Sequence, residues 1–268
     1  MRYVIRFSVL ASGSSGNACY VETENTRILI DAGLSGREIE RRLDLVGVAP
    51  SSLDALIITH EHTDHIRGAG PFARRFDLPL YTNRKTFESG KNTFGNLSRP
   101  VIIQTGQPLI IKDLNIETFT KCHDAADPVG IILSCHDGSP DLNGVRIGLA
   151  TDLGRSTRLV EDRLKGCQAL IMEFNHDQEM LDEGPYPIYL KRRIKGPDGH
   201  LSNKQAGDLL GAVSHQNLKF VVLAHLSETN NHPKKAYQEA EDALMKCGLD
   251  GVNILISRQD EPGQMIEL

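Results

Sequence analysis

The run "ITHEHTDHIRG" at 58–68 places His60, His62, Asp64 and His65 within six residues. His60 and His62 stand two apart at the end of an apolar run, "DALIIT", that reads as a strand, so both project the same way. Asp64 and His65 follow on the turn into a helix and face a second point. Four nitrogen and carboxylate donors this close suit two divalent cations sharing a site better than they suit a solvated loop.

A two-cation site needs more donors, and three more stand where apolar strands end. His123 follows "LNIETFT", Asp152 ends "IGLA", and His225 ends "VVLA". A carboxylate at Asp152 can bridge two cations. Strand ends of this kind converge on one edge of a layered fold.

The elements that must carry them are legible. "IRFSVLAS", "NACYVET" and "TRILID" read as strands parted by Gly/Ser/Asn turns. "SGREIERRLDLVGV" reads as a helix burying Ile39, Leu43 and Val46 and stopped by Gly47. "IRGAGPFARRF" reads as the helix after the histidine loop. "LPLYT", "PVIIQ", "PLIIK", "LNIETF", "VGIILSC" and "VRIGLAT" continue as strands. Polar 81–100 reads as a helical excursion at the surface. The last third alternates helices near 156–164, 202–213 and 233–247 with strands "QALIME", "KFVVLAH" and "VNILIS". The expectation is one α/β domain over 1–268, with two sheets flanked by helices.

Composition narrows the partners. The 268 residues carry a net charge of −5, 5% aromatics and no tryptophan. A nucleic-acid site must then be a local basic patch, dominated by backbone contacts rather than extensive base stacking. "YLKRRIKGPDGH" supplies such a patch in Lys191, Arg192, Arg193 and Lys195, or else a solvated helix face. Five dispersed cysteines read as reduced thiols. The opening run turns polar too early for a signal peptide, and no apolar run reaches membrane-spanning length. The expected location is the cytoplasm, with no membrane contact and a homodimer left open.

"GHLSNKQA" adds His200 two residues before a Ser202–Gln205 capping box, beside free N–H groups at a helix start that favour a phosphate. Glu173 ends the strand one helix after Asp152, so it should emerge at the same edge. There it could bond one ring nitrogen of His200 and hold it as a proton donor. The turn Ser12–Asn17, with Ser14, either feeds N–H groups to a phosphate or is a tight hairpin. Asn175 and His176, with Ser202 and Asn203, are candidates to line the cleft, and ordinary loop roles remain open for them.

In order, "ILIDAG", "THEHTDH", "CHDAADPVG", "ATDLG" and "LAHLS" resemble the motif set of the metallo-β-lactamase superfamily over nearly the whole chain. The resemblance implies a four-layer αββα sandwich. It implies that His60, His62 and His123 hold one cation and Asp64, His65 and His225 the other, with Asp152 bridging. Asp31 then matches the acid that supports such sites by hydrogen bonding. The ligand types suit zinc, with manganese or iron as alternatives. "LASGSSGNACYV", "GHLSN" and "LAHLSETNNHP" further resemble the YycJ/WalJ family of exonucleases, relatives of the transfer RNA 3′-processing endonucleases. This implies a 5′-to-3′ exonuclease acting on DNA rather than RNA through metal-activated water, with Asp64, Glu173 and His200 as catalytic groups. At Glu173 the usual His-Glu-Ala-Thr reads Met-Glu-Phe-Asn. The competing reading is a small-molecule hydrolase, a cyclic phosphodiesterase or thioesterase.

Overall fold

A computed structural model describes residues 4–135 and 144–268. β1 (Arg6–Ala11), β2 (Ala18–Glu22) and β3 (Arg27–Ile30) form an antiparallel meander. α1 (Gly36–Leu45) follows, started by the Ser35 hydroxyl accepting from the Glu38 N–H, and it buries Ile39 and Leu43. Then come β4 (Ala55–Ile57), α2 (Thr63–Ile66), α3 (Ala69–Arg75), β5 (Leu80–Asn83), α4 (Arg84–Phe94) and β6 (Pro100–Ile103), with β3 to β6 paired in parallel.

The second sheet starts with β7 (Leu109–Ile111), β8 (Leu114–Thr120), β9 (Val129–Cys135) and β10 (Arg146–Ala150), all antiparallel. α5 (Arg158–Leu164), β11 (Ala169–Glu173), α6 (Gln178–Glu183), α7 (Ile188–Lys195), α8 (Asn203–Val213), β12 (Phe220–Ala224), α9 (Pro233–Lys246) and β13 (Asn253–Ile256) complete it, with β10 to β13 parallel. β14 (Ile266–Glu267) returns to pair with β1. The orders are β14-β1-β2-β3-β4-β5-β6 and β13-β12-β11-β10-β9-β8-β7.

Period-2 alternation decides the layers. In β11, Ala169 and Ile171 join Phe7, Ile30, Ile57, Ile131 and Val222 between the sheets. Leu170 and Met172 face outward onto Val160, Leu209, Leu210, Ala240 and Leu244 of α5, α8 and α9. On the other side Tyr20, Leu29 and Leu56 meet Ile39, Leu43, Phe72 and Phe94. This is the four-layer αββα sandwich. Within the first sheet β1, β3 and β4 run the same way, and within the second β8, β10, β11 and β12 do.

Two expectations need correction. The helix through "IRGAGPFARRF" is two helices, α2 and α3. At Gly68 between them, a Cβ would lie 2.1 Å from the Leu34 carbonyl oxygen, an approach that excludes any side chain. The polar stretch 81–100 is not an excursion. Tyr81–Asn83 belongs to β5, and α4 is packed down through buried Thr86, Gly90 and Phe94. Its polar composition describes the outer face alone.

Candidate metal centre

Three site residues leave their strands in the left-handed region: Asp31 after β3 (φ 59°), Asp152 after β10 (53°) and His225 after β12 (56°). Non-glycine residues adopt this conformation rarely and at a cost, so their surroundings must hold it. All three side chains are buried.

The rings of His60, His62 and His123 gather with centroids 4.8, 4.9 and 5.1 Å apart. His123 Nε2 lies 3.1 Å from His62 Nδ1. Beside them stand Asp64, His65, Asp152 and His225. His65 Nε2 is 3.2 Å from Asp152 Oδ2, and His225 Nε2 is 3.4 Å from Asp152 Oδ1 and 3.7 Å from Asp64 Oδ2. Asp152 Oδ1 is also 3.9 Å from His123 Nε2, so this carboxylate stands between the two groups. Each group offers donor atoms all within 4.8 Å of one another.

The far nitrogen of every ring is occupied. His65 Nδ1–H donates to Asp31 Oδ2 at 2.7 Å and His225 Nδ1–H to Glu173 Oε1 at 2.9 Å. His60 Nδ1–H donates to the Thr59 hydroxyl at 3.0 Å, and that hydroxyl donates to Asp31 Oδ2 at 2.8 Å. His123 Nδ1–H donates to Gly199 O at 3.1 Å, and His62 Nε2–H to Asp124 O at 3.2 Å. Carboxylate and carbonyl partners accept protons and cannot donate, so in the neutral imidazole each pairing selects the tautomer whose lone pair points inward.

The inward atoms fit divalent cations. His60 Nε2, His225 Nε2 and Asp152 Oδ2 are buried with no hydrogen-bond partner among the described residues. Leaving such atoms unmatched costs about 1–3 kcal/mol each. Three of them converging with further nitrogens and carboxylates is the donor set a cation satisfies.

Charge separates the two groups. Burial opposes a proton on His65, but Asp152 and Asp31 outweigh it and push its pKa up to about 10. Burial likewise opposes His225, and Asp152, Asp64 and Glu173 raise it well above the usual histidine value. Burial wins at His60, which falls well below that value, and at His123, lowered to about 4. Against burial, His225 and His65 hold Asp152 well below the carboxylate range.

His200 sits at the rim, its ring 18% exposed and centred 5.1 Å from those of His123 and His225. Its Nδ1–H donates to Glu173 Oε1 at 2.8 Å. Glu173 is buried and carries more than the sequence indicates. Oε1 also takes His225, and Oε2 accepts the Leu153 and Leu201 N–H groups at 2.9 and 3.0 Å. Burial opposes its charge, but His200 and His225 hold it well below the carboxylate range.

Several other expected cleft residues have their polar atoms engaged internally. Ser12 Oγ accepts the His225 N–H at 2.8 Å. Asn17 Nδ2 reaches Asp64 Oδ2 and His65 Nε2, each at 3.1 Å, and Asn17 Oδ1 accepts the Gly13 N–H. With the Gly16 and Asn17 N–H groups on Gly13 O and Asp64 O, the 12–17 turn is a tight hairpin. Asn175 Nδ2 donates to His225 O at 2.9 Å. Ser202 completes the capping box of α8, and Asn203 exchanges amide bonds with Asn231. His176 is buried, its pKa lowered to about 4 by burial. Ser14 and Arg192 are exposed, and Arg193 Nε donates to Asp124 Oδ2 at 2.5 Å.

Sequence reasoning passed over Thr59, Asn17 as a support, and Lys121. Lys121 is buried, and its Nζ donates to Thr151 O at 2.5 Å, steadying the turn that carries Asp152. A lysine two residues before His123, at the end of an apolar strand, is a signal that could have found it.

Residues 11–151 match the family described as the Metallo-beta-lactamase superfamily. The chain is 37% identical over 246 residues to the exodeoxyribonuclease YycJ of Bacillus anthracis, covering 91% of this chain and 90% of that protein. It is 37% identical over 257 residues to the exodeoxyribonuclease WalJ of Streptococcus pneumoniae, covering 93% and 91%. Among solved structures, the metallo-beta-lactamase fold protein YhfI of Bacillus subtilis aligns with a TM-score of 0.73 at 17% identity, over 100% of both chains. That likeness speaks to the fold alone.

Proposed function

Because the chain belongs to the metallo-β-lactamase superfamily, we propose that this metal-dependent hydrolase is a nuclease that uses two divalent cations to remove nucleotides from the 5′ end of DNA. The two relatives named as exodeoxyribonucleases support a DNA substrate attacked from an end. The observation that carries the phosphodiester reading is the Glu173–His200 pair at 2.8 Å beside both donor groups.

Divalent cations at such a centre lower the pKa of water and neutralise charge on phosphoryl oxygens. The chain's own residues do the rest. His60, His62 and His123 would hold one cation, Asp64, His65 and His225 the other, and Asp152 both. His and carboxylate donors without cysteine favour zinc, with manganese or iron next. With Nδ1–H fixed on Glu173, His200 is left with Nε2, which makes no hydrogen bond among the described residues. In the doubly protonated ring, Nε2–H donates to a phosphate oxygen and hands that proton to the leaving oxygen, leaving the neutral Nδ1–H imidazole on Glu173. Arg192 and Arg193 guide the backbone past the rim without reading sequence. The thiols of Cys19, Cys122, Cys167 and Cys247 are in keeping with a reducing compartment. No described helix is long and apolar enough to cross a membrane.

The test is end-labelled, 5′-phosphorylated duplex DNA and matched RNA given to metal-reconstituted protein. The label should leave DNA first as a mononucleotide, and a chelator should abolish the reaction. His200→Ala should keep full metal content and lose about 10²–10⁴-fold in rate. Full metal with full rate would remove His200 from the mechanism, and faster turnover of RNA, a cyclic phosphodiester or a thioester would redirect the substrate.

A further inference from the structure

Among the described residues, α7 stands apart because none of its eight positions is buried. Helices are normally held by an apolar face. Here Ile188 and Tyr189 are 69% and 75% exposed, so neither side chain serves the interior. The helix also carries Lys191, Arg192, Arg193 and Lys195 with no acidic residue, in a chain of net charge −5.

Leu190 and Ile194 are only half-buried, and polar contacts add to what holds the helix. Lys191 Nζ donates to Asp182 O at 2.7 Å, and Lys195 pairs with the Asp182 carboxylate. Arg193 bonds Asp124, whose carbonyl accepts from His62 of the His60, His62 and His123 group. The Ile194 carbonyl accepts the His200 N–H at 2.8 Å, so α7 leads directly into the rim histidine. Arg192 makes no hydrogen bond or ion pair among the described residues. Residues four apart share a helix face, so Tyr189 continues the Arg193 face one turn, on the order of 6 Å, beyond the cleft mouth. Ile188 stands in the same relation to Arg192.

We propose that α7 is a clamp for single-stranded polynucleotide, in which Tyr189 stacks on a base just outside the cleft and Arg192 binds the neighbouring phosphate. This rests on the nuclease reading above and names how that substrate is held. A planar apolar ring next to an uncommitted cation matches a chain in which apolar bases alternate with anionic phosphates. A second copy of the protein fits poorly, because a two-fold contact would set these arginines against themselves. One such aromatic position is compatible with the low aromatic content, which speaks only against an extended platform.

The experiment measures binding of a short 5′-phosphorylated single strand with a phosphorothioate backbone, carrying 2-aminopurine near its 5′ end, to metal-reconstituted protein. Tyr189→Ala should weaken binding about 5- to 100-fold, the range of one base stack. It should also abolish the quenching of 2-aminopurine seen with wild type, while metal content stays at the wild-type level. Tyr189→Phe should restore both affinity and quenching. Arg192→Ala should reduce the slope of log affinity against log salt by about 0.7, one single-strand phosphate contact. Wild-type affinity and quenching in Tyr189→Ala, with wild type binding the strand, overturn the clamp and leave the nuclease reading standing. A wild type that binds no polynucleotide overturns both. A dimer that becomes monomeric in Tyr189→Ala, with strand binding unchanged, assigns the face to self-association and overturns the clamp.

Discussion

The two donor groups are built from the same residue types but are supported differently. In the inner group, His65 and His225 are each oriented by a buried carboxylate, Asp31 and Glu173. In the outer group, His60, His62 and His123 rest on a hydroxyl and two backbone carbonyls. A carboxylate behind an imidazole raises its basicity, whereas a neutral acceptor only orients it. The inner group is therefore where this fold concentrates charge. The outer group, with His62 28% exposed, is where it meets the surroundings.

The strongest challenge to that contrast is Asp152→Ala, which removes the one carboxylate standing between both groups. It should empty both and lower activity by more than about 10³-fold, beyond the 10–100-fold typical of supporting residues. Elemental analysis that still finds one cation per chain would show the groups to be independent. Glu173→Gln comes next, at about 10²-fold. One amide oxygen cannot replace a carboxylate that accepts from His200, His225 and two backbone N–H groups. His62→Ala should be milder, about 10- to 100-fold, with metal lost from the outer group alone. An equal loss from both groups in His62→Ala would erase the distinction.

Acid–base behaviour sharpens the comparison. At pH 7 the metal-free protein holds protons on His65, near 10, and on His225, raised well above its usual value, while His60 and His123 are neutral. Filling the inner group must displace the protons on His65 and His225, whereas His60 and His123 carry none to displace, so inner affinity rises the more steeply with pH. Calorimetry in buffers of contrasting ionisation enthalpy should find more protons released in the binding phase that fills the inner group than in the other. The same raised pKa makes His65 stabilising in the metal-free fold below its unfolded value. That contribution fades as pH climbs through about 10. Smallest of all is Arg193→Ala, on an exposed ion pair with Asp124. It should weaken polynucleotide binding by only a few-fold and reduce its salt dependence by about one contact, with both metals retained.

Much of this centre could be read from the chain. His60, His62, Asp64 and His65 are adjacent in sequence because a strand end and one helical turn already bring them together. Gln205 three places after Ser202 announced the cap of α8, which forms as expected. The α4 stretch misled because hydrophilic residues on one face masked a packed Phe94 on the other. Ser12 and Asn175 read as candidates to meet the substrate, yet both brace the backbone of His225, Ser12 from 213 residues away.

The sequence by itself determined the types and order of the donors and the strands that end in them, since ligand chemistry and strand periodicity are local properties. Tertiary structure decided which partner each imidazole faces, that Glu173 serves two histidines, and that Asp31, Asp152 and His225 turn back through left-handed backbone. It also left α7 with no fully buried residue. The reason is physical. A side chain's second hydrogen bond goes to whatever group sheet pairing brings within 3 Å, and spacing along the chain does not encode that distance.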